Sequence, residues 1–326
     1  MVPLARPQPR RSGYRERTWR TLRNTLRHSY SRAEVNNMHY VPRKIRWRDF
    51  LLLICILLTV ASVGCVVNEH VSAEEDVREQ GSLASGGSLT VENGRGDLRL
   101  VGSDTTEVQV EAHKFFEGSE FDRERWMRET KIRIEGDDHH RYVKVDYPEM
   151  HFGWGFWNGN RAVNLTVRVP REVNAILKDG RGHLNISNIE GRLEIASTRS
   201  DAEIEGFAGE LRVRGSRGDL KVRDSSIHGG VRVSLERGSA EIRLKQFAGD
   251  SDLEVSRGNI TLTIPENSVF TLDAERSRRS SFHTDFSVLA RGGFKDGDIR
   301  GDVNGGGPIL RLRAERGSVW LRAGMQ

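Results

Sequence analysis

Five arginines recur at near-constant spacing. They are Arg181, Arg199, Arg217, Arg237 and Arg257, separated by 18, 18, 20 and 20 residues. Each opens a tight turn, Arg-Gly in four cases and Arg199-Ser200 in the fifth. A guanidinium stays charged and presents a planar fork of donors that matches carboxylate and phosphate. Stacked on neighbouring strands about 4.8 Å apart, five such groups repel unless they are paired or bound to an anion. The ordinary reading is a solvated salt ladder with Glu194, Glu210, Glu236 and Glu254. The functional reading is a basic stripe for an anionic envelope polymer or a lipid head group.

A second candidate is the stretch HFGWGFWNG over 151–159. It sets Phe152, Trp154, Phe156 and Trp157 among glycines, so it reads as a loop. Exposed loop aromatics mark contact with a protein, a sugar or a membrane interface. The alternative is that the loop folds back and plugs one open end of a repeat array, since such ends need capping. His139-His140 could ligate a metal, but spacing places no third ligand, and a hairpin tip after Gly136-Asp137-Asp138 is the better reading. Arg-Gly-Asp occurs at 95–97, 217–219 and 300–302. In sister turns the third position is His183, Ser239, Asn259 or Ser318. Polar turn formers are interchangeable there, which argues against integrin mimicry. No phosphate loop, His-Glu-x-x-His, Cys-x-x-Cys or Gly-x-Ser-x-Gly occurs, so the sequence carries no cofactor motif and no enzyme signature. A glycan lyase assembled across rungs would leave no local motif and is the remaining enzymatic reading.

A repeating pattern between Lys178 and Pro265 supplies the strands and turns that carry the arginines. The second and fourth residues after each Arg turn are apolar: Leu184/Ile186, Ala202/Ile204, Leu220/Val222, Ala240/Ile242 and Ile260/Leu262. A second series, opened by Gly191, Gly209, Gly229 and Gly249, supplies Leu193/Ile195, Leu211/Val213, Val231/Val233 and Leu253/Val255. Period-two alternation buries one face of each strand. A fixed period near 20 residues marks a stacked array. The expected fold is therefore all-β, a single-stranded β-solenoid or β-roll of 18–20-residue rungs. An antiparallel meander is the rival, and the alternation of two turn types favours the solenoid. The pattern recurs at Arg95-Gly96 with Leu98/Leu100 and at Arg316-Gly317 with Val319/Leu321.

Charge and hydropathy divide the 326-residue chain. Residues 1–49 hold 13 Lys and Arg against 3 Asp and Glu, and the remainder holds 38 against 43. The net +5 thus belongs to a basic front end and argues against nucleic-acid binding by the folded part. Residues 50–67 (FLLLICILLTVASVGCVV) carry no charge, which suits a signal core or a membrane-spanning helix. Arg43, Lys44, Arg46 and Arg48 precede it, so a cytoplasmic N-terminus and an exported remainder follow. Ser62-Val63-Gly64-Cys65 is similar to a lipobox, with Cys65 as the lipidated residue and Ser62 departing from the usual Leu. Lipoprotein, uncleaved helix and ordinary signal cleavage all stay open. Residues 1–37 read as a solvated tail or a membrane-surface helix, and a true start at Met38 is a third reading. Both cysteines, Cys55 and Cys65, lie in the apolar stretch, so the exported part depends on stacking rather than disulfides.

In order, residues 68–87 read as a polar linker and 88–326 as the β-repeat domain. A short helix capped by Ser119 is expected within Glu120–Thr130. Strands are expected at Lys131–Glu135, Tyr142–Tyr147 and Ala162–Val169, the last ended by Pro170. After Pro265 the regularity loosens through SRRSS (277–281) and the glycine-rich 292–307. Residues 308–322 are expected to be the closing rung, with Trp320 outward.

The order of segments carries a resemblance. An apolar export segment precedes GGSLTVENGRGDLRLVG (86–102), then VNLTVRVP (163–170), then repeated Gly-x-Leu-x-Val units. This resembles the bacterial "putative adhesin" β-strand-repeat family of unknown function, related in form to the toast-rack envelope domains, from Gly86 to the C-terminus. The insert 115–159 departs from the pattern. The resemblance implies an exported, membrane-tethered, non-enzymatic binding or scaffold protein of the bacterial envelope, linked to envelope-stress regulation. The alternative is a surface adhesin that binds an anionic glycan or polymer through the arginine column. Expected partners are the membrane, an envelope protein or anionic polymer, and a second copy through the solenoid ends.

Overall fold

The computed structural model describes residues 70–148, 159–290 and 298–324. The expectations for the tail 1–49, the apolar segment 50–67, Cys65 and the four loop aromatics lie outside the described residues. No helix among the described residues is long and apolar enough to cross a membrane. Residues 67–326 cluster as one compact unit.

The fold is all-β. Its described residues form nineteen strands in one sheet and a single helix. The central strands are β8 (Asn174–Ser187), β9 (Glu190–Glu205), β10 (Ala208–Gly215), β11 (Leu220–Arg237), β12 (Ala240–Phe247), β13 (Ser251–Arg257) and β14 (Ile260–Pro265). They pair in parallel, and partners such as Leu184↔Ala202 and Leu220↔Ala240 lie 18 and 20 residues apart. The repeat period is therefore the ladder register. Two parallel ladders result. In ladder A, β8, β9, β10, β11 and β13 follow one another through Ala175, Leu193, Leu211, Val231 and neighbours. In ladder B, the later part of β8 and of β9, the start of β11, then β12 and β14 follow through Leu184, Ala202, Leu220, Ala240 and Ile260. The alternating apolar residues of both ladders face one core, and Leu193, Ile195, Leu211, Ile242, Leu253 and Ile260 are fully buried.

Outer strands close the stack. At one end stand β1 (His70–Ser82), β2 (Ser88–Asn93), β3 (Leu98–Ser103), β4 (Glu107–Ser119), β5 (Lys131–Gly136), β6 (His140–Asp146) and β7 (Asn160–Pro170). β2 joins β8 and β6, and β3 joins β8 and β7, all in parallel. Antiparallel pairs β5–β6, β4–β7 and β1–β4 follow. Helix α1 (Glu120–Glu129) begins at Ser119, whose Oγ accepts from the Asp122 amide, as the cap signal predicts. Its Trp126 is 3% exposed and packs on Phe116 and Tyr147.

Three expectations change. The predicted linker contains β1, a 13-residue strand in register with β4 from His70↔Ser119 to Ser82↔Glu107. Its charged composition hides it, because an edge strand buries only one side and tolerates charges on the rest. The glycine-rich stretch after 292 contains β18 (Ile299–Val303), antiparallel to β15 (Phe270–Arg276) and to the short β17 (Leu289–Ala290). The predicted closing rung, β19 (Ile309–Gly324), is not last. It lies between β13 and β15 in ladder A and between β14 and β16 (Ser280–Thr284) in ladder B. The same interpolation occurs at the other end, where β2 and β3 sit inside β6 and β7. A parallel edge offers amides and carbonyls to whichever strand best continues its apolar rows, and sequence order does not decide which one does.

Candidate functional site: a corner of stacked arginines

The Arg turns form the corner where each strand of ladder A passes into ladder B. Arg181↔Arg199, Arg237↔Arg257 and Arg257↔Arg316 are register partners. Backbone hydrogen bonds continue the column: Gly96 N–H to Arg181 O, Ser200 to Arg217, Gly218 to Arg237, Gly238 to Arg257, Gly258 to Arg316 and Gly317 to Arg279, at 2.9–3.3 Å. The order along the stack is Arg95, Arg181, Arg199, Arg217, Arg237, Arg257, Arg316, Arg279. The five predicted residues are thus brought together, and three more join them. Arg95 and Arg316 carry the same Arg-Gly signal at a distance in sequence. Arg279 has no such signal and is placed by β16.

The chain can turn here because glycine follows. Gly218, Gly238, Gly258 and Gly317 have φ of 130°, 136°, 143° and 141°, which is left-handed territory that a side chain disfavours. The third turn position has its own ladder. The His183 amide donates to Asp97 Oδ1, Asp219 to Asp201 Oδ1, Ser239 to Asp219 Oδ1, Asn259 to Ser239 Oγ and Ser318 to Asn259 Oδ1, at 2.8–3.2 Å. Each short polar side chain thereby satisfies an amide of the next rung. This ladder explains two of the Arg-Gly-Asp triplets. In the third, Asp302 is buried and accepts from Thr271.

The salt ladder expected with Glu194, Glu210, Glu236 and Glu254 does not include the column. Glu210 binds Arg192, Arg212 and Arg232, and Glu194 binds Arg214. Those pairs lie on the outer face of ladder A, where Glu275 also pairs with Arg313. Burial tends to raise the Glu210 carboxyl, but Arg212 and Arg192 outweigh it and hold the group below its usual range. Glu236 and Glu254 have no ion pair among the described residues. Arg181, Arg199, Arg217, Arg237, Arg257, Arg279 and Arg316 are all exposed. None has an ion pair or side-chain hydrogen bond among the described residues. Arg95 is half-buried, and its backbone meets the Tyr147 hydroxyl.

Inside the corner lies a buried acid. Asp179 is 5% exposed, accepts from the Ser200 hydroxyl, and leaves Oδ1 without a partner. Burial pushes its carboxyl up to about 6, the Ser200 hydroxyl opposes this, and Asp97 adds to it. A raised folded-state value means that the native protein holds the proton more tightly than the unfolded chain. Stability should therefore fall as pH rises from about 4 to about 6, by on the order of 3 kcal/mol, and level off above. Thermal melts of the wild type and Asp179→Asn between pH 4 and 7.5 check this. The variant should lack that fall, and equal slopes would contradict the assignment.

The His139-His140 stretch is a hairpin tip, as expected. Asp137 Oδ1 accepts both amides at 2.8–2.9 Å, and this holds its carboxyl below the usual range. No group of three metal-ligating side chains occurs among the described residues.

No family model matches the chain, and no curated protein does. Among solved structures it is similar to a putative cell adhesion protein from Clostridium sporogenes, at 13% identity and a TM-score of 0.34, over 77% of this chain and 100% of that one. It is also similar to putative adhesins from Bacteroides fragilis (13%, TM-score 0.42, 76% and 97%) and Parabacteroides merdae (10%, TM-score 0.29, 76% and 96%). All three carry the description of putative adhesion proteins.

Proposed function

We propose that the chain is a non-enzymatic binding protein, exported and held at the membrane through residues 50–67, whose repeats wind as a β-solenoid of 18–20-residue rungs. The arginine corner is its recognition surface for an anionic partner of the envelope. The observation that carries this reading is the column of seven exposed arginines without acidic partners, on a surface whose other face pairs its arginines. Lipidation at Cys65 and an uncleaved helix are alternative forms of the same tether. A second reading is a scaffold that meets an envelope-stress protein through Phe152, Trp154, Phe156 and Trp157. It is favoured by the position of that segment's downstream root. Asn160 pairs with Glu117, two residues from the Ser119 that pairs with His70, where the chain arrives from the apolar stretch. Self-association through the edge strands is a further property of the first reading.

The test is cross-linking in intact cells with a C-terminally tagged full chain, together with membrane fractionation and protease access from outside. Membrane retention with a protected N-terminus and an accessible β domain is expected. A soluble cytoplasmic pool would sink the proposal. Co-recovery of anionic polymer supports the first reading, and a discrete membrane or regulatory protein supports the second.

A further inference from the structure

The corner gives its ligand a shape as well as a sign. Arg181, Arg199, Arg217, Arg237, Arg257, Arg316 and Arg279 occupy seven consecutive rungs. At about 4.8 Å per step they run about 29 Å in a single file. Adjacent charges are closer than the Debye length of about 8 Å at physiological salt, so each adds to the field at the next. The file is also narrow. On the ladder B side it is bordered by Asp201, Glu203 and Asp219, which are exposed, and by Glu241, which is half-buried. On the ladder A side the outer-face arginines are already occupied by Glu194, Glu210 and Glu275. A broad acidic protein surface would meet those bordering carboxylates. A small anion would reach one or two forks and leave the others bare.

We infer that the ligand is a linear polyanion lying along the stack axis, with one anionic group per rung. This deepens the binding-protein reading above and rests on it. Carboxylate and phosphate suit the guanidinium fork equally, so the polymer is either a glycan with one carboxylate per sugar or a phosphate-linked chain.

The experiment titrates the purified full chain, in detergent, with oligogalacturonates of two to twelve units and with linear polyphosphates of graded length. Affinity should climb steeply with length to six or seven anionic groups and then flatten. It should fall on the order of a thousandfold between about 50 and about 200 mM salt. Arg217→Ser with Arg237→Ser should weaken binding at least tenfold and lower the salt slope by about two. The pair Arg223→Ser with Arg243→Ser removes the same charge from ladder B, where both arginines are paired with acids, and should stay within twofold. The better polymer identifies the anion. Equal affinity for dimers and dodecamers, an equal loss in the ladder B pair, or no binding to either polymer overturns the inference. Length dependence is read on the unmodified chain, so it holds even where a variant folds poorly. A null result here alongside correct membrane retention in cells would remove the polymer and leave the exported binding protein standing.

Discussion

Gly238→Val is expected to lower the thermal midpoint by about 10 °C, the equivalent of about 3 kcal/mol or more in a domain of this size. Two effects add. Gly238 has φ of 136°, where a β-branched residue is strained by about 1–3 kcal/mol. A Cβ there would also overlap the carbonyl oxygen of Gly218 on the neighbouring rung. That obstacle is backbone, so the rungs themselves must separate. The Gly218 N–H to Arg237 O bond at 3.1 Å, which joins those two rungs, is the first to suffer. Arg199-Ser200 shows how a side chain is accommodated at this corner. Ser200 is not in the left-handed region, and its hydroxyl turns inward to Asp179. Gly86, by contrast, also has positive φ but nothing within 4 Å of a built Cβ, so Gly86→Ala should cost only the conformational part. Calorimetry of the two variants separates strain from rung collision. Equal losses would show that collision is not the larger effect.

Trp126→Ala is expected to cost about 3–5 kcal/mol, with the loss confined to one end. The indole closes the core at the β1–β7 end. Its ring centroid is 5.4 Å from that of Tyr147 and 6.5 Å from that of Phe116, and the Arg161 guanidinium lies 5.4 Å over it. Tyr147 in turn ties Asn93 and the Arg95 backbone together. Removing Trp126 therefore loosens the first arginine position along with the cap. Each central strand pairs only with its neighbours in the ladder, so strands several places away should keep their protection. Hydrogen exchange reads this directly. Faster exchange in β2, β4, β6 and α1 with unchanged β12–β14 is the expected pattern, and uniform acceleration through all strands would refute end-capping. Trp126→Phe should recover part of the loss, because the indole nitrogen has no hydrogen-bond partner to forfeit.

Much of this protein is local and therefore legible in one dimension. Alternation with period two decides which residues face the core, and Leu184/Ile186, Leu220/Val222 and Leu253/Val255 are buried as their positions predict. The Arg-Gly dipeptide marks four of the five turns and the period places Arg199-Ser200 with them, so the five-residue column follows from spacing. The helix cap at Ser119, the hairpin after Gly136 and the outward Trp320, stacked on His283, are local in the same sense. Pairing between distant strands is not. Nothing short-range tells β19 to lie inside β15 and β16, or β1 to bind β4, because backbone edges accept any strand whose side chains fit. The charges behave likewise. Glu194 and Glu210 are near the column in sequence, yet the flat ladder holds those acids against Arg214, Arg192, Arg212 and Arg232. The sequence determined where the arginines stack, since that depends on period and turn chemistry. That they stand unpaired emerges only in three dimensions, because pairing between distant strands sets which arginines the acids of the flat ladder meet.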